Sequence, residues 1–191
     1  MRSMVEGQFG VSQPLHRTSC GPPPHELRSQ GGLGRAPNLL PSYMPPMSAA
    51  LYNRDILRLA ASIPHQRRLA APQASVEKSS PICGSRVVVD LDVDGEGRVA
   101  ALGQEVRACA LGQASASLMG AHVLGRSAAE LAEARDALAG YLAGRRDDPG
   151  DWPGLAIFAD ARRFTARHPS ILLAFEAAAE AAARAARADA A

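Results

Sequence analysis

The chain has 191 residues, 47% of them hydrophobic but only 4% aromatic, with a formal net charge of +2. That length accommodates one domain with an appendage, and a core made from Ala, Leu, Val and Ile offers no broad aromatic binding platform. The near-neutral charge supplies no basic face for nucleic acid, and no apolar run reaches the ~18 residues of a membrane-spanning helix.

Residues 1–46 contain Gly-Pro-Pro-Pro at 21–24, Gly-Gly-Leu-Gly at 31–34 and Pro45-Pro46, without helical or strand period. Such a segment buries too little apolar surface to offset its conformational entropy and reads as a disordered extension. Its four arginines against two glutamates account for the whole net charge, leaving residues 47–191 balanced. The first regular pattern follows Met47, which is expected to be the natural start, with residues 1–46 arising from an upstream start codon. The first residues lack the contiguous apolar stretch of a secretory signal, so the expected compartment is the cytoplasm.

Ser48 is a candidate N-cap, and Tyr52, Ile56, Leu59 and Ile63 recur at helical spacing up to Pro64. Residues 64–82, with Pro64, Pro72 and Pro81, read as a long exposed connection. The period then changes to two. Val87, Val89, Leu91 and Val93 share one strand face, with Arg86, Asp90 and Asp92 on the solvent face. Asp94-Gly95-Glu96-Gly97 is a hairpin turn, and Arg98 to Ala108 is expected to give two short strands broken around Gly103.

From Ala110 the pattern is helical, with Leu111, Ala114, Ser115 and Leu118 on one face, ending near Gly125. Ser127-Ala-Ala-Glu130 is a capping box opening a helix whose apolar face includes Leu131, Ala134, Leu138, Tyr141 and Leu142. Asp147 to Gly154 is a turn region, and Leu155 to Arg163 a short helix or irregular segment. Pro169 suits the first position of a last helix that buries Ile171, Leu172 and Phe175, and the sequence after Ala178 reads as an alanine-rich tail. The fold class is α+β: a small antiparallel sheet of about three strands with helices packed on one face, spanning residues 47–191.

Three cysteines, Cys20, Cys83 and Cys109, form an odd set without an export signal, which favours reduced thiols over disulfides. Cys20 lies in the extension and is read as a bystander. Cys109 stands at a strand-to-helix junction, where unpaired amides and the helix dipole stabilise a thiolate for metal ligation or sulfur chemistry. Two cysteines 26 positions apart also fit the alternative of small buried hydrophobes. His65 and His122 have no thiolate or carboxylate at ligand spacing, and the alternation explains Asp90, Asp92 and Asp94 without a calcium loop. There is no Gly-x-Ser-x-Gly elbow, phosphate-cradling loop or His-Glu-x-x-His, so turnover of a small-molecule substrate is not expected.

Pro81-x-Cys83-Gly84 before a strand, the Val93-Asp94-x-x-Gly97-Arg98 hairpin and Cys109-Ala-x-x-x-Ala-Ser-Ala-Ser117 together resemble the IscU/SufU/NifU amino-terminal family of iron–sulfur cluster assembly scaffolds. The likeness covers roughly residues 51–178 and includes Leu51-Tyr52. It implies that Cys83 and Cys109 occupy the first and second cluster-ligand positions, for a [2Fe–2S] cluster or iron, with zinc as the other candidate metal. Where the family has an aspartate after Cys-Gly this chain has Ser85, and where it has a third cysteine this chain has Ser170. His168 is then either a substitute ligand or a cap of the last helix. Ser115 and Ser117 are read as small packing residues.

The implied role is a scaffold or carrier that receives sulfur through a cysteine desulfurase and passes a cluster to recipient apo-proteins, without nucleic-acid or membrane partners. The alternatives are a zinc-bound sulfur acceptor for the desulfurase and a protein-binding module that has lost its metal.

Overall fold

The computed structural model describes residues 51–189. The expected extension, Cys20 and Ser48 lie outside the described residues. Helix α1, Arg54–Ala60, begins at Asn53, whose side-chain oxygen accepts the Ile56 amide at 2.9 Å. Ile56 is buried, and Tyr52, Leu59 and Ile63 pack beside it, as their spacing requires.

Strands β1 (Ala74–Ser79), β2 (Arg86–Val93) and β3 (Val99–Arg107) form one antiparallel sheet in the order β1-β2-β3. Val76 pairs with Val89, and Leu91 with Leu102. The β2–β3 turn is held by the Asp94 carboxylate, which accepts the amides of Glu96 at 3.0 Å and Arg98 at 2.9 Å.

Two strand expectations are corrected. β1 lies within the stretch read as an exposed connection. Only Ala74 and Val76 are buried in it, which leaves an alternation too short to stand out between prolines. β3 is continuous through Gly103, because that glycine serves a close crossing. A Cβ there would collide with the carbonyl of Arg67 and the amide of Leu69.

That crossing covers the second face of the sheet, so Asp90 is fully buried instead of solvent-facing. The Arg68 guanidinium grips its carboxylate through Nε at 2.5 Å and Nη2 at 2.9 Å, and the Leu69 amide donates at 3.1 Å. Burial pushes the Asp90 carboxyl up, but these donors outweigh it and hold it below the usual carboxylate range.

On the other face lie α2 (Ala110–His122), α3 (Ala128–Leu142) and α4 (His168–Asp189), with 3-10 segments at Leu155–Arg163 and Thr165–Arg167. The Ser127–Glu130 capping box is present in both directions. Helix α4 packs against β1 and β2 on one side and α2 and α3 on the other. The sequence beyond Ala178 is therefore core: Ala174, Ala177, Ala178, Ala181, Ala182 and Ala185 are fully buried on a continuous helix. Small side chains let a helix sit close to several neighbours at once. Among the described residues no helix is long and apolar enough to cross a membrane.

Candidate functional site

Three chain segments meet at one end of the sheet. The first is the β1–β2 connection, where Gly84 turns the chain at φ +66°, the Ser80 amide donates to the Ser85 carbonyl at 2.8 Å, and the Gly84 amide donates to the Ser80 carbonyl at 3.0 Å. This tight loop presents Cys83. The second is the end of β3, where Cys109 takes the N-cap position of α2 with extended backbone. Its side chain caps no amide of the helix, so the sulfur is directed elsewhere. The third is the first turn of α4, which carries Ser170.

A continuous path of polar contacts joins the two sulfurs. Cys83 Sγ donates to Ser85 Oγ at 3.1 Å, Ser85 Oγ and Ser170 Oγ are hydrogen-bonded at 3.3 Å with either able to donate, and Ser170 Oγ lies 3.0 Å from Cys109 Sγ. Ser85 Oγ also accepts the Cys109 amide at 3.4 Å. Both serines are buried, whereas both cysteines are only partly buried. The hydroxyls thus form the floor of the site and the thiols its mouth.

Burial pushes the Cys83 thiol up, but hydroxyls of Ser80, Ser85 and Ser170 together with the Ser85 amide more than offset this and bring it down from 9.0 to about 7. Ser80 Oγ is buried and makes no hydrogen bond of ordinary length in the structure, which leaves its proton free to turn toward the Cys83 sulfur.

Two residues fix Ser170 in this position. A Cβ on Gly112 would come within 2.8 Å of Ser170 Oγ and 2.9 Å of its carbonyl oxygen, so only glycine lets α2 approach this closely. Ser115, fully buried, donates from Oγ to the Ile171 carbonyl at 2.5 Å. Ser117 Oγ donates to the Ser62 carbonyl at 3.2 Å. These serines tie α2 to neighbouring segments, a more specific task than the close packing expected of small residues.

Cys83, Cys109 and Ser170 are therefore gathered into one cluster. His168 is not in that polar path: its Nε2 faces the carbonyls of Ala161 at 3.1 Å and Arg162 at 3.2 Å, at the end of the preceding 3-10 segment. Among the described residues no three His, Cys, Asp or Glu side chains are grouped to hold a metal ion. His122 stacks edge-on to Trp152, with ring centroids 6.5 Å apart, and His65 occupies a turn at φ 55°. A concavity of about 170 Å³ near Arg126, Glu130, Arg146 and Trp152 includes neither cysteine.

Ser80 and Gly112 were not singled out by the sequence. Gly112 carries a faint signal, since it stands one helical turn after Cys109, where a glycine weakens the helix unless something must come close. Ser80 gives none, because its importance lies in burial behind the Cys83 loop.

No family model and no curated protein matches the chain. Among solved structures, a nitrogen-fixing NifU-like protein (N-terminal) from Brucella abortus shares 38% identity at a TM-score of 0.69, covering 73% of this chain and 97% of that one. A structure from Fervidobacterium islandicum, described as a candidate iron–sulfur cluster assembly scaffold of the SUF system, has a TM-score of 0.64 at 20% identity. It covers 69% of this chain and 96% of that one, and at that identity it attests the fold. The three-stranded sheet, the helices on one face and the 38% identity over nearly all of the Brucella domain place this chain in the IscU/SufU/NifU-like family.

Proposed function

We propose that the protein is an iron–sulfur cluster assembly scaffold or carrier that holds iron or a [2Fe–2S] cluster transiently through Cys83 and Cys109 and passes it to recipient apo-proteins. The observation that carries this reading is the convergence of both thiols on one pocket through Ser85 and Ser170. Soft thiolates suit iron–sulfur clusters, and the donors around Cys83 favour its thiolate near neutral pH. With hydroxyls in place of a carboxylate and a third thiol, the site binds weakly, which suits cargo that must leave. A cysteine desulfurase is the expected sulfur source, and the cytoplasm the expected compartment. The chain itself does no turnover.

The test is metal and sulfide analysis of protein purified without oxygen, alongside chemical reconstitution. Cluster absorption in the native protein and its loss in both Cys83→Ala and Cys109→Ala are expected. Protein devoid of metal and unable to take up a cluster would leave the fold serving as a protein-binding module.

A second reading is supported by one feature, the partly exposed Cys83 with the buried Ser80 hydroxyl behind it. In that reading the Cys83 thiolate attacks the outer sulfur of a desulfurase persulfide. A new S–S bond forms on Cys83 and the desulfurase thiolate departs. Mass spectrometry after incubation with a desulfurase and cysteine detects the added sulfur on Cys83.

A further inference from the structure

We propose that the outer edge of β1 is a docking site for an extended segment of a partner protein, which adds a fourth strand to the sheet and carries a lysine or arginine over Glu77. In an antiparallel ladder, residues that bond the neighbouring strand alternate with residues whose amide and carbonyl point the other way. The β1–β2 hairpin fixes which are which. The Ser80 amide donates to the Ser85 carbonyl, so in the observed register Lys78, Val76 and Ala74 bond β2. Ser75, Glu77 and Ser79 therefore turn their amides and carbonyls away from the sheet. The same alternation carried through β2 turns the Gln104 amide outward from β3, and that amide does donate outward, to the His65 carbonyl at 2.9 Å.

The two edges of the sheet differ in what closes them. Along β3, His65 takes the Gln104 amide, the Val99 amide donates to the Arg126 carbonyl at 2.9 Å, and the Val99 carbonyl accepts the Gly125 amide at 2.8 Å. Along β1, among the described residues, no backbone hydrogen bond reaches the outward groups of Ser75, Glu77 or Ser79. All three residues are exposed. A row of open amides and carbonyls of this kind is a template for one more strand.

The charges across the sheet define the occupant. Arg86 of β2 bonds Glu105 of β3 at 3.1 Å and Glu77 of β1 at 3.0 Å, so the sign alternates from strand to strand and ends on an acid at the open edge. A fourth strand continues the alternation with a basic side chain over Glu77, which is half exposed. A second copy fits less well, because antiparallel pairing of two β1 edges over their full length sets Glu77 opposite Glu77. Pro72 and Pro81 bracket β1 and keep the added strand short. Past Ser79 the chain runs through Ser80 into the loop that holds Cys83, so a strand seated on this edge brings its own protein up to the cysteines. That the partner exchanges cargo there rests on the scaffold reading, whereas the docking itself does not.

The experiment selects short peptides from a randomised display library on the full, metal-free chain, then follows amide hydrogen exchange with and without the enriched peptide. In the free chain the amides of Ser75, Glu77 and Ser79 are expected to exchange at least ~10-fold faster than those of Val76 and Lys78. Enriched peptides are expected to carry a lysine or arginine, to slow those three amides, and to bind Glu77→Lys ~10-fold more weakly. Glu77→Pro removes only an outward amide, so it keeps the fold by circular dichroism and loses the peptide. Ser79→Pro tests the same point if Glu77→Pro fails to fold. Protection of Ser75, Glu77 and Ser79 in the free full chain overturns the proposal, since the edge is then already covered by the chain itself or by a second copy. Failure to enrich any peptide, enrichment of peptides without a basic residue, or protection confined to other amides also overturns it. Cluster reconstitution on the same protein is read separately, so loss of either conclusion leaves the other in place.

Discussion

The hydroxyl of Ser170 lies 3.0 Å from Cys109 Sγ, so the first turn of α4 meets the N-cap of α2 through a single oxygen–sulfur contact. Substituting that oxygen by sulfur places a third thiol against the existing pair. Ser170→Cys is expected to slow chelator removal of a reconstituted cluster by ~10-fold, because a thiolate replaces a hydroxyl of far higher pKa as ligand. Ser170→Ala leaves Cys109 and Ser85 without their common partner and lowers stability by ~1 kcal/mol in chemical denaturation.

Gly112 is the second control on the same contact. Gly112→Ala drives a methyl toward Ser170 Oγ and the Ser170 carbonyl. Overpacking of this kind is expected to destabilise the fold by ~1–3 kcal/mol, despite alanine's better helix propensity. The measurement is a urea titration followed by far-ultraviolet dichroism, and a variant more stable than the parent refutes the crowding.

The serine floor sets the reactivity of Cys83. With its thiol held at about 7, alkylation of metal-free protein at Cys83 should reach half its maximal rate near that pH. Ser85→Ala and Ser80→Ala each remove a donor to the thiolate and shift the midpoint upward, toward the 9.0 of an unperturbed thiol. Iodoacetamide labelling read peptide by peptide gives the profile, and an unmoved midpoint in both variants rejects this role for the hydroxyls.

The capping box of α3 supplies an acid-sensitive element. The Ser127 amide first, then the Arg126 guanidinium and the Ser127 hydroxyl, hold the Glu130 carboxyl at about 2, below its ordinary 4.5. A carboxyl depressed on folding adds stability that is complete above its unfolded pKa and is lost as pH falls toward the folded one. The contribution should therefore fade between about 4.5 and about 2. Glu130→Gln is expected to flatten the melting temperature against pH in that window, and Ser127→Ala to cost about 1 kcal/mol at neutral pH.

Asp90 and Arg68 lock the 64–72 segment over the outer face of the sheet. Asp90→Asn keeps the shape but removes the charge that holds the guanidinium and weakens its acceptance of the Leu69 amide. Arg68 is half exposed, so the loss should fall near ~2 kcal/mol, below that of a fully buried pair. Hydrogen exchange should accelerate at Leu69 and Gln104, whose amides depend on that segment.

What the sequence made legible was periodic or punctuated. The face of β2, the Asp94–Arg98 turn, the capping box and the start of α4 near Pro169 each follow from a local rule. The convergence of Cys83 and Cys109 on one polar cluster was legible through the motifs around them. Crossings were not: Gly103 looks like a strand breaker until the Arg67–Leu69 backbone is seen against it, and Asp90 looks solvent-facing until Arg68 covers it. The alanines of α4 looked like a tail because low hydrophobicity per residue hides a helix enclosed on several sides. Ser80 became visible only with burial, which sequence spacing does not record.

Helix α4 begins at the site and runs through the middle of the core, whereas Cys83 rides on a short loop between two strands. One wall of the mouth is therefore anchored in the least yielding part of the molecule, and the other is attached by a few backbone bonds. On the proposed scaffold reading, release of cargo is expected to move the Cys83 wall while the Ser170 wall stays. Substitutions from Ser80 to Ser85 should then change how long such cargo stays, at little expense to the stability of the whole.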